Sequence, residues 1–219
     1  MTLAIVQARM GSRRLPGKAL MKVRNVSLLG HLLHRLEQSE LIDEIVVGTP
    51  DEEIRDEVEG LGYEAFLSDR PEDDVLGRYV DIAKEYGADV IVRITGDCPL
   101  IDAGVVDKTI QVLQDYDFAC NIWPRTFPQG LDTEVFPIET LLHLDELLDK
   151  DNPDREHVCV NVYTNPTFTI ANYADDEDNS NLRWCVDDWD DFQKVGAILD
   201  RWSHLPYKEI LRRVKWTTD

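Results

Sequence analysis

A loop rich in arginine and glycine follows the first apolar segment of the chain, residues 2–8. Among its cations and glycines are Arg9, Gly11, Arg14, Gly17 and Lys18. Guanidinium and ammonium groups pair with phosphate oxygens, and glycine lets the backbone lie close to them. Ligands of open α/β sheets bind beyond the carboxyl ends of the strands, so this loop is placed to bind a polyphosphate.

Two common phosphate-binding loops do not fit this spacing. A P-loop has four residues between its glycines, then Lys followed by Ser or Thr. Here five residues separate Gly11 from Gly17, and Ala19 follows Lys18. The dinucleotide pattern GxGxxG is absent as well. The segment is therefore a basic, glycine-containing loop of another type.

A carboxylate follows another apolar segment at the same edge of the predicted sheet. Residues 89–94 are typical of a buried strand, and Thr95, Gly96 and Asp97 form the turn after it. Mg²⁺ prefers one or two carboxylates together with phosphate oxygens and water. Asp97 is therefore a candidate Mg²⁺ ligand above a bound triphosphate; the alternative is a helix cap or a solvated acid.

Charge is distributed unevenly along the chain. The 219 residues include 43 acidic and 23 basic ones, a net charge of −20, yet the first acid is Glu37. Such a protein repels nucleic acid and anionic membranes, so neither is an expected partner. The acid-free start suits a polyphosphate site. An acidic, lysine-poor surface is typical of a high-salt cytoplasm, or simply of an acidic protein.

Apolar strand patterns and amphipathic helix patterns alternate along the first half of the chain. We predict strands at 2–8, 44–49, 63–67 and 89–94, and helices at 26–38, 51–61, 74–86 and 102–115. Later strands are predicted at 117–122, 131–136, 167–173 and 183–186, and later helices at 138–149, 154–164 and 188–203. This alternation predicts an α/β fold with a mostly parallel sheet between two helical layers, plus a small antiparallel excursion over 117–172.

We expect one domain, 1–219, because the sequence has no repeat and no low-complexity linker. The four cysteines are widely spaced without a CxxC pair: Cys98, Cys120, Cys159 and Cys185. The first residues carry neither a basic region nor a cleavage site of small residues. We therefore expect free buried thiols and a cytoplasmic protein without a membrane span.

Several segments resemble motifs of the cytidylyltransferases that activate acidic sugars, above all the group named for spore-coat polysaccharide biosynthesis. They occur in the same order as in that family. They are Ala8–Lys18, Asp74–Tyr79, Arg93–Asp102, Gly130–Phe136, Arg155–Val158, and Val186-Asp187 followed by Asp191-Phe192. CMP-acylneuraminate and CMP-Kdo synthetases are related to this group. Two positions depart from the pattern: Arg13 stands where Thr is usual, and Trp189 where Pro is common.

The resemblance implies a Rossmann-like α/β/α sandwich of the nucleotide-diphospho-sugar transferase type. It implies that CTP reacts with a small anionic acceptor and releases pyrophosphate, with Mg²⁺ held by Asp97 and Asp187. Lys18 and Arg14 are expected to be catalytic together with Asp97. The expected nucleotide-binding residues are Ala8, Arg9, Met10, Gly11, Arg14, Lys18, Arg78, Thr95 and Gly96. Relatives also imply a homodimer formed through 117–172.

The acceptor site is less well defined by the sequence. Asp132 and Glu134 alternate on a predicted strand and so share a face, where Arg155 and His157 are candidates to join them. His157 is either a general base or a structural histidine, and Arg125 is a candidate for an acceptor carboxylate or phosphate. Two alternatives stay open: a phosphorylated acceptor giving a nucleoside diphosphate conjugate, and a non-catalytic nucleotide-binding module.

Overall fold

The computed structural model describes residues 1–216 and contains one large sheet. Its strands are β1 (Thr2–Gln7), β4 (Glu44–Thr49), β5 (Glu64–Leu67), β6 (Val90–Thr95), β7 (Phe118–Cys120), β8 (Glu134–Pro137) and β9 (Ile170–Asn172). The strand order is β5-β4-β1-β6-β8-β7-β9, and β8 alone runs antiparallel to its neighbours. A separate small hairpin joins β2 (Lys22–Val23) and β3 (Val26–Ser27).

Helices cover both faces of this sheet. They are α1 (Leu28–Leu36), α2 (Glu52–Gly60), α3 (Val75–Glu85), α4 (Ala103–Leu113), α5 (Ile138–Leu147), α6 (Val160–Thr164), α7 (Trp189–Trp202) and α8 (Tyr207–Trp216). Short 3-10 helices lie at Lys18–Leu20 and Pro153–His157. No helix among the described residues combines the length and the apolar character needed to cross a bilayer.

Alternate side chains of the central strands pack into two hydrophobic cores, one on each face of the sheet, because successive residues of a β-strand point to opposite faces. Leu3 and Ile5 of β1 pack with α3 and α5, whereas Ala4 and Val6 pack with α1, α2 and α4. A third cluster joins α7 and α8 to Phe127, Leu131 and Trp184. The fold is thus the expected α/β/α sandwich, and the four cysteines are free and buried as predicted.

The second half of the chain differs from its prediction in several elements. Within 117–172, β7, β8 and β9 extend the main sheet, and the predicted antiparallel excursion consists of β8 alone. The predicted helix 154–164 is interrupted at Val158, whose φ is 56°. The predicted strand 183–186 is reduced to one bridge between Gln129 and Arg183, because its other backbone bonds go to loops. The hairpin and α8 were not predicted.

Candidate active site

A cavity of about 860 Å³ opens at the carboxyl ends of β1 and β6. The phosphate loop, the start of α3, the turn after β6 and the 3-10 helix Pro153–His157 surround it. Its wall contains Gln7, Ala8, Arg9, Gly11, Ser12, Arg13, Arg14, Lys18, Ala19, Glu72, Asp73, Val75, Arg78, Arg93, Thr95, Gly96, Asp97, Glu156, His157 and Asp187. The volume is in the range of small-molecule sites.

Backbone hydrogen bonds fold the loop after β1 into a compact turn. The Met10 carbonyl accepts hydrogen bonds from the N–H groups of Ser12 and Gly17, and the Met10 N–H donates to Asp51 Oδ2 at 2.7 Å. Gly17 adopts a left-handed φ of 69°, which glycine tolerates without strain. Ala8 and Gly11 therefore line the cavity, and Met10 anchors the loop from behind.

The Lys18 ammonium joins the two carboxylates that the sequence assigned to a metal. Its Nζ lies 3.2 Å from Asp97 Oδ2 and 3.0 Å from Asp187 Oδ1, and it donates to the Val186 carbonyl at 2.7 Å. Burial opposes the Lys18 charge, but the two carboxylates outweigh burial and raise its pKa. Asp97 and Asp187 lie 79 and 169 positions after Lys18 in the sequence, and the fold brings both to its ammonium.

A close approach of two loops brings Asp187 to this edge of the sheet. The N–H groups of Trp184 and Cys185 donate to the Gln129 carbonyl, and the Val186 N–H donates to the Asp97 carbonyl at 2.9 Å. Gly130 has a φ of 111°, and a Cβ there would lie 2.5 Å from the backbone of both Trp184 and Cys185. Only glycine fits this crossing without a shift of the backbone.

Two arginines complete the surroundings of Asp187. Arg183 Nη2 donates to its Oδ2 at 2.6 Å, and Arg14 Nη2 lies 3.1 Å from the same oxygen. Burial alone would raise the pKa of Asp187, but Lys18 and then the arginines lower it below its usual range. Asp188 caps α7, and Asp190 and Asp191 occupy its first turn, as expected for acids at a helix N-terminus.

This geometry fits a divalent cation that arrives with its phosphates. Residues 1–216 contain no group of three His, Cys, Asp or Glu side chains arranged as a protein cage. Mg²⁺ does not need one, because one or two carboxylates with phosphate oxygens and water suffice. Asp97 and Asp187 already share one cation, the Lys18 ammonium. The donor set is therefore suitable for Mg²⁺ once Lys18 pairs with another anion.

Acids from distant segments also neutralise the other end of the phosphate loop. Arg9 pairs with Glu156 at 2.9 Å and with Glu72 at 3.3 Å. Arg14 is the most exposed of the predicted phosphate-binding cations, with 63% of its side chain exposed. The loop is free of acids in the sequence, but the fold surrounds it with carboxylates that an arriving polyphosphate must displace.

Arg78 lines the cavity as a buried cation that has no carboxylate partner within residues 1–216. The residue is 3% exposed, its Nε has no hydrogen-bond partner, and its Nη2 makes a long 3.4 Å contact with the Pro71 carbonyl. Desolvation lowers the pKa of this guanidinium. An unpaired buried charge is costly, so a ligand that supplies anionic or carbonyl oxygens is expected to stabilise it.

Of the predicted acceptor residues, the fold brings His157 to the cavity and places the others behind or beside its wall. Asp132 precedes β8 instead of lying in it, so it does not share a strand face with Glu134; it pairs with Arg125 at 2.7 Å. Arg155 is buried between Asp74 and Asp145, at 2.7 Å from each. Arg125, Asp132, Glu134 and Arg155 are thus not among the residues that line the cavity.

Glu134 lies below the cavity in a buried network. Its Oε2 accepts a hydrogen bond from Arg93 Nη1, and its Oε1 accepts one from the Tyr163 hydroxyl at 2.6 Å. Arg93 reaches the cavity wall, so the wall presents the guanidinium and not the carboxylate. The register of β6 and β8 pairs Arg93 directly with Glu134, which explains the contact.

Several wall residues were not assigned to the site from the sequence, among them Gln7, Glu72, Arg93 and Glu156. Two of them could have been recognised from the sequence, because a polar side chain inside an apolar strand needs a hydrogen-bond partner or a ligand. Gln7 ends the apolar segment of β1, and Arg93 interrupts Val90–Ile94. Glu72 and Glu156 could not have been recognised in this way, because nothing local connects them to Arg9.

Comparison with known proteins identifies the family of this chain. A family model described as cytidylyltransferase matches residues 3–171. The spore coat polysaccharide biosynthesis protein SpsF of Bacillus subtilis is 29% identical over 93% of this chain and 88% of its own. An uncharacterised protein of Methanocaldococcus jannaschii is 34% identical over 87% of this chain and 80% of its own. The 3-deoxy-manno-octulosonate cytidylyltransferase of Geobacter sulfurreducens is 34% identical over 51% of this chain and 45% of its own.

Solved structures share the fold. A cytidylyltransferase from Leptospira borgpetersenii superposes with a TM-score of 0.92 at 31% identity, over 99% of this chain and 94% of that one. A CMP:2-keto-3-deoxy-manno-octonic acid synthetase complexed with CTP gives 0.73 at 18% identity, over 90% and 98%. Rv0371c of Mycobacterium tuberculosis, complexed with manganese, gives 0.63 at 17% identity, over 90% and 98%. With a family model over most of its length, this chain belongs to the cytidylyltransferases and is a nucleotidyltransferase.

Proposed function

We propose that this protein transfers CMP from CTP to a small anionic sugar or sugar-like acceptor, in a Mg²⁺-dependent reaction that releases pyrophosphate. The observation that carries the proposal is the convergence of Lys18, Asp97 and Asp187 beside the phosphate loop. Cation and carboxylates at that point are what a triphosphate–metal complex requires. CTP and manganese in two solved structures of the same fold support the nucleotide and a divalent ion.

The proposed nucleotide site uses backbone from two strand ends and side chains from the phosphate loop. Ala8 and Gly11 of the loop, together with Thr95 at the end of β6 and Gly96 after it, line the cavity. A Cβ at Gly96 would lie 2.8 Å from the Gln7 carbonyl, so the two strand ends approach only because residue 96 is glycine. Arg9, Arg14 and Lys18 bind phosphate oxygens, and Arg78 binds the nucleotide from below.

The proposed chemistry is an in-line displacement at the α-phosphorus of CTP. An acceptor hydroxyl oxygen forms the new P–O bond, and the bond from the α-phosphorus to the bridging oxygen breaks with its electron pair leaving on pyrophosphate. His157 lines the cavity wall, and we propose that it takes the hydroxyl proton. Asp97 and Asp187 would hold a divalent ion, which would neutralise charge on the phosphates. Lys18 leaves these carboxylates to stabilise the departing pyrophosphate.

A pyrophosphate-release assay tests the proposal directly. CTP, UTP, ATP and GTP are each combined with pools of sugar acids, sugar phosphates and phosphorylated small acids, with Mg²⁺ or with EDTA. We expect pyrophosphate to be released only when CTP, Mg²⁺ and the sugar-acid pool are all present. We expect the Asp97→Asn variant to lose this release. Release with a phosphorylated pool alone supports the alternative acceptor class. No release with any pool, together with no CTP binding by calorimetry, contradicts the proposed function.

We also propose that the protein is a homodimer. Exposed apolar side chains in the segment 117–172 support this: Trp123 is 60% exposed, Leu147 47% and Val160 36%. Burying them against a second copy would be favourable. Mass photometry is expected to give twice the 25.1 kDa of one chain. Trp123→Ser and Leu147→Ser together are expected to shift the distribution towards monomer, and an unchanged distribution contradicts this interface.

A further inference from the structure

One face of the sheet presents a row of polar side chains across strands that are otherwise apolar. The register of β1 and β6 pairs Ile5 with Arg93 and Gln7 with Thr95. The register of β6 and β8 then pairs Arg93 with Glu134. Because alternate residues of a strand share a face, Gln7, Arg93 and Thr95 lie on the same face, at the floor of the cavity.

Three side-chain polar atoms within residues 1–216 are buried without a hydrogen-bond partner: Gln7 Oε1, Arg78 Nε and Arg93 Nε. All three residues line the same cavity. Leaving such an atom unsatisfied is costly, so native proteins rarely keep several together without a ligand. The three atoms therefore outline what the missing ligand must offer: oxygen acceptors for two guanidinium N–H groups and one hydrogen-bond donor for Gln7.

Arg78 and Arg93 differ in the charge they offer this ligand. Arg78 has no carboxylate partner among the described residues, whereas Arg93 is paired with Glu134, which is held in turn by Tyr163. Burial opposes the Arg93 charge, but Glu134 outweighs it and raises the pKa of the guanidinium. Arg93 thus stays charged and fixed, yet its surroundings are already close to neutral.

A nearly neutral site discriminates between anions. A phosphate dianion needs more positive charge than one neutralised guanidinium provides, and Glu134 behind Arg93 would repel it. A carboxylate can accept a hydrogen bond from Arg93 Nε with a smaller electrostatic cost. A neighbouring hydroxyl can donate to Gln7 Oε1. The pair of unpartnered atoms therefore matches a carboxylate that carries a hydroxyl group close by.

The position of Gln7 and Arg93 in the cavity suits binding of the acceptor better than binding of the nucleotide. Lys18, Arg14 and Asp187 gather at the phosphate end of the cavity. In-line attack requires the acceptor to approach the α-phosphorus opposite the leaving pyrophosphate. Arg93 is instead supported by Glu134 of β8 and Tyr163 of α6, and α6 packs against the 3-10 helix that carries His157.

We propose that Gln7 and Arg93 form the acceptor-recognition subsite, selective for a hydroxylated carboxylate over a phosphate monoester, with Glu134 and Tyr163 as positioning residues. This inference rests on the proposed cytidylyl transfer, but its binding test does not require turnover. It also decides between the acid-sugar and the phosphorylated acceptor. Neither Gln7 nor Arg93 is part of the phosphate loop or of the carboxylate pair.

The binding test follows the arginine Nε–H signals by nuclear magnetic resonance, with Arg93→Lys used to assign the Arg93 signal. Gluconate serves as a hydroxylated carboxylate probe and inorganic phosphate as its competitor class, each added after CTP and Mg²⁺. We expect gluconate to shift the Arg93 signal and phosphate to leave it in place. A shift caused by phosphate but not by gluconate, or no shift with gluconate, overturns the selectivity.

Kinetics provide the second readout, with the acceptor that the pyrophosphate assay identifies. Gln7→Leu and Arg93→Lys are expected to raise the acceptor KM about tenfold or more, in line with one or two lost hydrogen bonds, and to leave the KM for CTP within about twofold. Tyr163→Phe is expected to give a smaller increase in acceptor KM, because it removes only the support of Glu134. Gln7→Leu tests the same subsite independently, in case Arg93→Lys does not fold properly.

Arg35→Lys is the matched control. Arg35 is also a buried arginine, and it donates to the carbonyls of Ile101, Ser203 and Leu205 away from the cavity. It is expected to lower stability without changing either KM. A raised KM for CTP with an unchanged acceptor KM in Arg93→Lys assigns the residue to the nucleotide and overturns the inference. Wild-type protein that releases no pyrophosphate with any acceptor contradicts the proposed function instead.

Discussion

Lys18 holds together the two carboxylates that the proposed metal ion needs. In the ligand-free protein its ammonium occupies the point between Asp97 and Asp187. The same lysine is proposed to move to pyrophosphate during the reaction. One residue thus has two roles, as an internal cation before the substrate binds and as a phosphate ligand afterwards.

Lys18→Met separates these roles. We expect Mg²⁺ without nucleotide to bind more tightly, because two facing carboxylates lose their internal cation. We expect kcat to fall at least about 100-fold, because the leaving pyrophosphate loses a charged ligand. Calorimetry with Mg²⁺ and the pyrophosphate assay measure the two effects. Lys22→Met, at an exposed lysine of the β2–β3 hairpin, is the control. Weaker Mg²⁺ binding in Lys18→Met would contradict the internal-cation role.

Arg78→Met is expected to change stability and binding in opposite directions. Replacing a buried, unpaired guanidinium with an apolar side chain of similar length is expected to raise the free energy of unfolding of the ligand-free protein. CTP affinity is expected to fall about tenfold, because the nucleotide loses a buried cation. Urea unfolding and calorimetry with CTP give the two values. A variant that is less stable and binds CTP normally would show that Arg78 serves the fold.

At the scale of elements, the start of α3 depends on one buried carboxylate. Asp74 accepts from the Gly77 N–H as the N-cap and pairs with Arg70 at 2.9 Å and Arg155 at 2.7 Å. Burial would raise its pKa, but Arg155, Arg70 and the cap bond lower it overall. The carboxylate therefore contributes stability above the unfolded-state pKa, and this contribution is lost as the pH falls through the folded-state pKa.

Asp74→Asn tests this linkage while keeping a good N-cap residue. At neutral pH we expect a loss of about 2 kcal/mol in the free energy of unfolding, as for hydrogen bonds to charged groups. The difference from wild type is expected to shrink below about pH 4, where the carboxyl of the unfolded chain takes up its proton before that of the folded protein does. Urea unfolding between pH 3 and 7 measures it. A constant difference across this range would contradict the ionic contribution.

Gly130 supports the site where its loop crosses the segment that carries Asp187. Gly130→Ala is expected to cost about 2 kcal/mol of stability, because its φ is positive and the new Cβ meets the backbone of Trp184 and Cys185. It should also weaken CTP·Mg²⁺ binding, since the shifted segment carries Asp187. Gly60→Ala, where a Cβ would meet nothing within 4 Å, is the matched control and is expected to be neutral or stabilising. Equal effects of the two changes would contradict this account.

Prediction from sequence succeeded where the pattern is local. The first four large strands and their helices were predicted to within one or two residues, because their apolar periodicity is strong. It failed at 183–186, where the backbone bonds to Gln129 and Asp97 instead of forming a strand. It also gave no reason to pair Arg9 with Glu156, 147 residues later. Such contacts depend on the tertiary fold, which a local pattern does not encode.

At the scale of the whole molecule, the net charge of −20 opposes the compact state. Raising KCl from 0.1 to 2 M should screen this repulsion and raise Tm, by about 2–4 °C for each kcal/mol recovered. Differential scanning calorimetry measures the shift, and a glucose series of equal osmolality is the control. An equal shift in glucose, or a lower Tm in KCl, would contradict repulsion as the cause.

The crossing of Gly130 with Trp184 and Cys185 has a consequence for the newly made chain. The phosphate loop leaves the ribosome early, but Asp187 follows every strand of the sheet. Until that late segment emerges and settles against Gln129 and Asp97, Lys18 has only one of its two carboxylates. A growing chain can therefore expose its phosphate-binding loop well before it can assemble the second half of its metal-binding pair, and synthesis itself delays the onset of nucleotide chemistry.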